Sequence, residues 1–150
     1  MKKIRKLSMF IVALFILMAN FRFYNNVVSA NENVLDNFVE KYGLKGPTAG
    51  KAYVDVEKDN EKLKFKIWWH ESANSYSEWQ MSGKLNLETL TLEYTNAKHT
   101  TRVYESKEVF LDTVEYENGT GQFIFNDQNK SLTWEDNQSD DNEGVIFYKS

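Results

Sequence analysis

The chain of 150 residues has no cysteine, one proline and only two histidines. Without cysteine it has no disulfide, no thiolate nucleophile and no sulfur ligand for a metal, so its stability has to come from packing. It also has no Gly-x-Ser-x-Gly elbow, no phosphate-binding loop and no His-Glu-x-x-His pair, which mark common enzyme classes. We therefore expect a protein that is not an enzyme and that binds no cofactor.

Long apolar runs are also absent, apart from the eleven residues Met9–Ala19. Met1–Ser8 before this run carries four positive charges, and short side chains end the region at Ala30. A membrane-spanning helix needs about 20 apolar residues, whereas Asn20 and Arg22 interrupt this run. A basic segment, then an apolar segment, then residues with short side chains is the order typical of a secretory signal peptide. We expect cleavage near Ala30 and a secreted, extracellular or cell-wall-associated protein.

Removal of residues 1–30 changes the charge balance. The whole chain has 18 basic and 22 acidic residues, and the leader holds five of the basic residues and none of the acidic ones. Residues 31–150 thus have 13 basic and 22 acidic residues, a formal charge of −9. Such a surface repels nucleic acid and anionic membranes, and it attracts a basic protein.

The segment 31–48 predicts a short helix and a linker. Asn33 is a candidate cap, and Val34, Leu35, Phe38, Val39 and Tyr42 share one helical face. Gly43 would end the helix in a left-handed conformation. Because so short a helix is marginal alone, we expect it to cover an open end of a sheet.

The segment 49–150 predicts a single β-domain. In Lys62–His70 the residues Leu63, Phe65, Ile67 and Trp69 alternate with polar residues and Trp68. About eight or nine such segments are separated by turn signals, among them Asn118-Gly119. The prediction is an all-β fold with one short N-terminal helix, either a lipocalin-like antiparallel meander barrel or a two-layer sandwich. Near Phe110–Tyr116 the apolar residues change parity, which predicts a bulge.

Two segments of this region look like copies. Leu85–Tyr94 and Phe125–Trp134 each begin with an apolar residue and Asn. Five positions after the Asn comes Thr or Ser, followed by Leu and, two positions later, an aromatic residue. Each segment predicts a β-hairpin with a polar turn.

The region Lys51–Lys149 resembles small exported β-domains of Gram-positive bacteria that have no established function. The positions that carry the resemblance are Trp79, Ser82, Gly83, Leu85, Thr91, Leu92, Tyr94, Gly119, Gly121, Phe123, Phe125, Leu132, Thr133, Trp134, Glu135 and Asp136. The resemblance implies a β-fold and export. Such proteins are often anchored through a lipid-modified cysteine, which this chain lacks, so release or wall retention is expected.

Polar residues offer few candidate sites. His70-Glu71 and His99 are isolated and expected at strand ends, where a surface role is the simpler interpretation. In the acidic segment Glu135–Glu143, Asp136, Asp140 and Asn142 only loosely match the ligand spacing of a calcium loop. A solvated loop is the simpler interpretation here too.

Aromatic residues give the best functional indication. Because neighbouring strand residues face opposite sides, one of Trp68 and Trp69 has to point outward. We take Trp68, with Tyr76 and Tyr148, as candidate ligand-binding residues. The function predicted is non-catalytic recognition of a small ligand, glycan or protein through an aromatic face or barrel mouth. The alternative is an inhibitor whose acidic loops bind a basic protein.

Overall fold

The computed structural model describes residues 34–106, 109–139 and 144–150. In these residues eight antiparallel strands follow one another around a closed barrel, and β1 pairs with both β2 and β8. The strands are β1 (Lys41–Gly43), β2 (Ala52–Asp59), β3 (Lys62–Ser72), β4 (Ser75–Gly83), β5 (Thr91–Tyr104), β6 (Phe110–Asn126), β7 (Ser131–Asp136) and β8 (Val145–Lys149). The all-β prediction is confirmed, and the sheet closes as a barrel instead of stacking as a sandwich.

The predicted alternation decides which residues fill the barrel. The largest fully buried side chains come from six strands: Val54, Leu63, Phe65, Ile67, Leu92, Phe123, Leu132 and Phe147. Phe65 on β3 stacks on Phe123 of β6, with ring centroids 3.9 Å apart and planes 10° apart. These two strands are not neighbours in the sheet, so the stack joins separate parts of the wall across the interior. The interior between them is therefore packed with side chains.

The N-terminal helix prediction is wrong for its second half. Asp36–Phe38 forms a single 3-10 turn, and Lys41–Gly43 is the first strand of the barrel. A helix of so few residues is marginal on its own. Pairing with β2 and β8 gives these residues more hydrogen bonds than one more helical turn would. The expected position is confirmed: Phe38 is buried and packs on Phe125 at 4.7 Å, which closes one end of the barrel.

The residues of the predicted signal peptide, 1–30, lie outside the described part of the chain. Among the residues that are described, no helix has both the length and the apolar character needed to cross a membrane.

The two look-alike segments form equivalent turns. The side-chain oxygen of Asn86 accepts hydrogen bonds from the N–H groups two and three residues further on, at 2.9 and 3.3 Å. Asn126 does the same at 3.0 and 3.3 Å. Asx turns of this kind fix the first part of a short loop, so the repeat seen in the sequence is a repeat of structure.

Each of these turns also ends in the same way. Leu90 and Lys130 have φ angles of 54° and 52°, the left-handed region that side chains rarely adopt. The carbonyl of Leu90 accepts from the N–H of Phe125 at 2.9 Å, and that of Lys130 accepts from the N–H of Lys149 at 2.9 Å. Each turn is thus tied to the next strand of the barrel, which stabilises its left-handed residue.

The prediction of a tight turn at Asn118-Gly119 is wrong, because both residues lie inside β6. Asn118 has a φ of 59°, and the pairing of β5 with β6 shifts register on either side of Gly119. An Asn-Gly pair supplies left-handed backbone, and in a long strand that conformation makes a bulge. The bulge predicted near Tyr116 is also present, between the pairs His99–Tyr116 and Thr100–Val114.

Gly121 and Gly43 provide a matched test of packing in the wall. A methyl group at Gly121 would overlap the carbonyl oxygen of Glu135 and the hydroxyl of Tyr94, whereas the nearest atom at Gly43 is Ser150 Oγ at 3.8 Å. We expect Gly121→Ala to lower the free energy of unfolding by about 1–3 kcal/mol. Gly43→Ala should be neutral or stabilise by up to about 1 kcal/mol. Urea unfolding followed by tryptophan fluorescence measures both, and equal stabilities would show that β6 and β7 are less closely packed than described.

Candidate binding site: an aromatic row on the outer wall

Five aromatic side chains form a continuous row on the outside of the barrel, called here the aromatic row. It consists of Tyr53, Trp68, Tyr76, Tyr104 and Phe110, one from each of the strands β2 to β6. Successive ring centroids lie 6.2, 5.0, 6.0 and 6.1 Å apart. These separations are typical of aromatic pairs in contact, so the rings form one unbroken apolar track.

Strand register builds the row. Tyr53 lies directly opposite Trp68, and Tyr104 lies opposite Phe110. Tyr76 is joined diagonally to Trp68 and to Tyr104, since its direct partners are His70 and Arg102. Because the sheet twists, neighbouring ring planes differ by 25° to 64°. The row is therefore a curved track and not a flat platform.

Basic side chains lie over the rings. Lys41 Nζ is 3.9 Å from the centre of the Tyr53 ring, and Lys66 Nζ is 4.3 Å from that of Trp68. The Arg102 guanidinium lies 4.0 Å from the Phe110 ring and 5.7 Å from the Tyr76 ring. The negative face of an aromatic ring attracts such cations, so the row carries positive charge along its length.

Each of these cations also has a carboxylate partner. Asp55 lies 3.7 Å from Lys41, Glu78 lies 3.1 Å from Lys66, and Asp112 lies 2.5 Å from Arg102. The hydrogen bond from Arg102 holds the pKa of Asp112 below its usual range, and Asp112 in turn raises the pKa of Arg102. Both groups stay charged at all physiological pH values, and the row is flanked by fixed donors and acceptors.

Two grooves run beside the row. One, of about 370 Å³, is lined by Tyr76, Glu78, Gln80, Lys98, Thr100, Arg102, Asp112 and Val114. The other, of about 460 Å³, shares Gln80 and Lys98 with it and extends to Asp55 and Glu57 of β2. It has no member of the row in its lining, and the core residues Phe65 and Met81 reach it from the interior. Both volumes are within the range of ligand pockets. The row thus borders a polar trough with charged, amide and hydroxyl groups.

The structure brings together two of the three residues singled out from the sequence. Trp68 points outward and contacts Tyr76, whereas Trp69 faces the interior beside the core. Tyr148 lies on β8, outside the row, with Lys45 Nζ 4.1 Å from its ring.

Three members of the row were missed by sequence reasoning. Tyr53 had a usable signal, because it alternates with the inward residues Ala52 and Val54. Tyr104 and Phe110 did not, because only the register of the long β5–β6 hairpin sets them opposite one another.

His99 is in the middle of β5, and not at a strand end as expected. Its ring stacks on Trp79 with centroids 4.0 Å apart and planes 7° apart. Its Nε2 atom is buried and has no hydrogen-bond partner among the described residues. Burial lowers the pKa of His99, against the opposing effect of Glu115, Asp136 and Glu71. The neutral imidazole is therefore the form that the fold favours.

The acidic segment is partly engaged within the fold. Asp136 accepts a hydrogen bond from the Tyr116 hydroxyl at 2.5 Å, and Glu135 accepts one from Gln122 at 2.5 Å. Asp140 and Asn142 lie outside the described residues, so the calcium prediction stays a prediction. Within the described part of the chain, no group of three or more His, Asp and Glu side chains could hold a metal ion.

The burial of His99 predicts a pH dependence of stability. A folded-state pKa below the ordinary value of 6.5 means that the unfolded chain takes up a proton first. The stability contributed by neutral His99 is then present above that value and is lost as the pH falls below it. Between about pH 7.5 and pH 5.5, the free energy of unfolding should decrease in the wild type and change less in His99→Phe, which keeps a ring against Trp79.

Urea unfolding across this pH range measures the effect, and His70→Gln is the control because His70 is exposed. A slope that is the same in His99→Phe as in the wild type would contradict the assignment.

Comparison of the chain with protein-family models, with curated proteins and with solved structures finds no match.

Proposed function

We propose that the protein is an exported, non-catalytic binding module that holds a carbohydrate chain along the aromatic row. The observation that carries the proposal is the contact of Trp68 with Tyr76, 5.0 Å apart on the outer wall beside an open polar groove. Aromatic rings next to convergent polar groups are the usual composition of a ligand site.

Ring chemistry favours a sugar as the ligand. The faces of a pyranose ring carry C–H groups with slight positive charge, and the face of an aromatic ring is negative. A sugar can therefore stack on an indole or phenol ring without losing the hydration of its hydroxyl groups. When the side chains of Lys41, Lys66 and Arg102 move aside from the rings that they cover, the row offers such stacking at several successive positions. This suits a chain of sugars better than a single one.

The groove supplies the polar half of the recognition. Glu78 accepts hydrogen bonds from Lys66 and from the Gln80 amide, which fixes the acid and the amide side by side. A carboxylate accepts hydrogen bonds, and an amide both donates and accepts. Neighbouring hydroxyl groups of a sugar need this combination. Lys98 and Thr100 extend the same polar lining along β5.

The filled interior supports an outer site. The stack of Phe65 on Phe123, with centroids 3.9 Å apart, takes up the space where a ligand would sit in an open barrel. Export is proposed from the leader at residues 1–30 alone. An exported module with this surface would meet extracellular or wall polysaccharides.

Loss of the central indole should weaken carbohydrate binding. Removing an aromatic ring on which a base stacks costs about 1–3 kcal/mol in proteins that bind single-stranded nucleic acids. With a similar cost for a stacked sugar, Trp68→Ala should weaken affinity by about tenfold. Affinity electrophoresis in gels that contain single polysaccharides identifies a ligand, and calorimetry with its soluble oligosaccharide measures the affinity.

Tyr148→Ala is the matched control, because Tyr148 also carries a lysine over its ring but lies outside the row. It should bind as the wild type does. Near-ultraviolet circular dichroism checks that both variants are folded. Two results would refute the proposal. One is that no polysaccharide binds from a broad set of neutral, amino-sugar and acidic ones. The other is that the wild type and Trp68→Ala bind with equal affinity.

A further inference from the structure

One side of β6 has an uncovered edge. The hairpin of residues 98–117 is called here the arm. Along it β5 pairs with β4 on one side and with β6 on the other. β6 pairs with β7 only from Gly121 to Asn126. Among the described residues, Phe110–Glu117 of β6 thus has a ladder partner on one side only. In antiparallel strands the N–H and C=O groups point alternately to the two sides, so this edge offers main-chain groups for a further strand.

Exposed apolar side chains are concentrated on the arm. Of the nine large hydrophobic residues that are exposed in the described chain, six are found here: Val103, Tyr104, Val109, Phe110, Leu111 and Val114. Leu111 is 59% exposed and Val109 is 52% exposed. Single exposed apolar residues are ordinary, but a cluster on one hairpin marks an interaction surface.

The charge on the arm is acidic. Its described cations are already paired, Arg102 with Asp112 at 2.5 Å and Lys98 with Glu117 at 3.3 Å. Glu105 and Glu115 are exposed and have no ion pair with any other described residue. Glu115 is the extra residue at the bulge next to Tyr116. The edge therefore favours a cationic partner.

A second copy of the chain fits this edge poorly. Pairing β6 with β6 of another copy would bring together two edges, Phe110–Glu117, that each carry three acidic residues and no basic one. Like charges across neighbouring strands are destabilising. The net charge of the whole chain, −4, acts in the same direction.

We propose that the arm binds an extended, basic segment of a partner protein, which adds to the edge of β6 as an antiparallel or parallel strand. Main-chain hydrogen bonds with Phe110–Glu117 give the affinity, and apolar side chains of the segment cover Leu111 and its neighbour Val109 at the start of the edge. Its basic side chains lie near Glu105 and Glu115. This surface is the edge of β6, so the inference goes beyond carbohydrate binding on the aromatic row.

Synthetic peptides test the proposal with the full-length protein. The probe is a fluorescent peptide of alternating valine and lysine. Two matched peptides serve as controls. The first alternates valine and glutamate. The second is the valine–lysine peptide with alternate amides N-methylated, which blocks strand pairing but keeps the charge. The probe should bind and slow hydrogen exchange at residues 110–117. The two controls should bind at least about tenfold more weakly, and affinity should fall with salt.

Two variants locate the site. Glu115→Lys should weaken the valine–lysine peptide severalfold, and Glu93→Lys, an exposed acid on β5 outside the arm, should have little effect. Tyr104 and Phe110 belong to both the arm and the aromatic row, whereas Trp68 lies outside the arm. Trp68→Ala should therefore bind this peptide as the wild type does, so the two proposals can be tested separately.

Three results would overturn the proposal. Equal binding of the methylated peptide would show simple charge attraction. Unchanged exchange at residues 110–117, with or without binding, would place any contact elsewhere. A concentration-dependent dimer in sedimentation, with those amides protected before any peptide is added, would show that a second copy occupies the edge.

Discussion

The stack of Phe65 on Phe123 is the contact on which the rest of the molecule depends. It joins two strands that are not neighbours and leaves 3.9 Å between the ring centroids. A barrel with eight strands has room for a core of side chains or for one small ligand, and here aromatic rings use that room. With the inside filled, the outward-facing half of each strand is what remains for recognition. The aromatic row and the groove beside Tyr76 belong to that half.

The outer wall shows why alternate residues of a strand can have separate roles. Trp68 and Trp69 are adjacent in sequence, yet one contacts Tyr76 on the surface and the other packs against the core. Because the inward positions are satisfied by apolar packing, the outward positions tolerate rings and ion pairs without loss of stability. Surface ion pairs contribute little to stability, so pairs such as Lys66 with Glu78 serve mainly to position side chains.

How much of this could be predicted from the sequence depends on whether the signal was local. Strand alternation in Lys62–His70, which lies within β3, and the polar turns that begin at Asn86 and Asn126 are local signals, and both were predicted correctly. An Asn-Gly pair such as Asn118-Gly119 suits a tight turn and a bulge equally well. Only long-range pairing with β5 decides which of the two forms. The aromatic row is likewise a product of register across five strands. Trp68 and Tyr76 were named from the sequence, and the same alternation rule would have found Tyr53. Only Tyr104 and Phe110 needed the assembled sheet.

The seam between β1 and β8 has a mechanical consequence. Its main-chain part consists of two residue pairs, Tyr42–Lys149 and Gly43–Tyr148, and a bond from the Ser150 N–H to the Lys41 carbonyl at 3.0 Å. An ion pair of Lys149 with Glu40 at 2.8 Å also crosses it. The start of β1 and the end of β8 thus leave the barrel side by side. Tension between these two points would peel the seam apart one bond at a time, since the strands separate sideways and not in shear. A load attached at both of these points would pull on the seam, where the fewest hydrogen bonds join neighbouring strands of the wall.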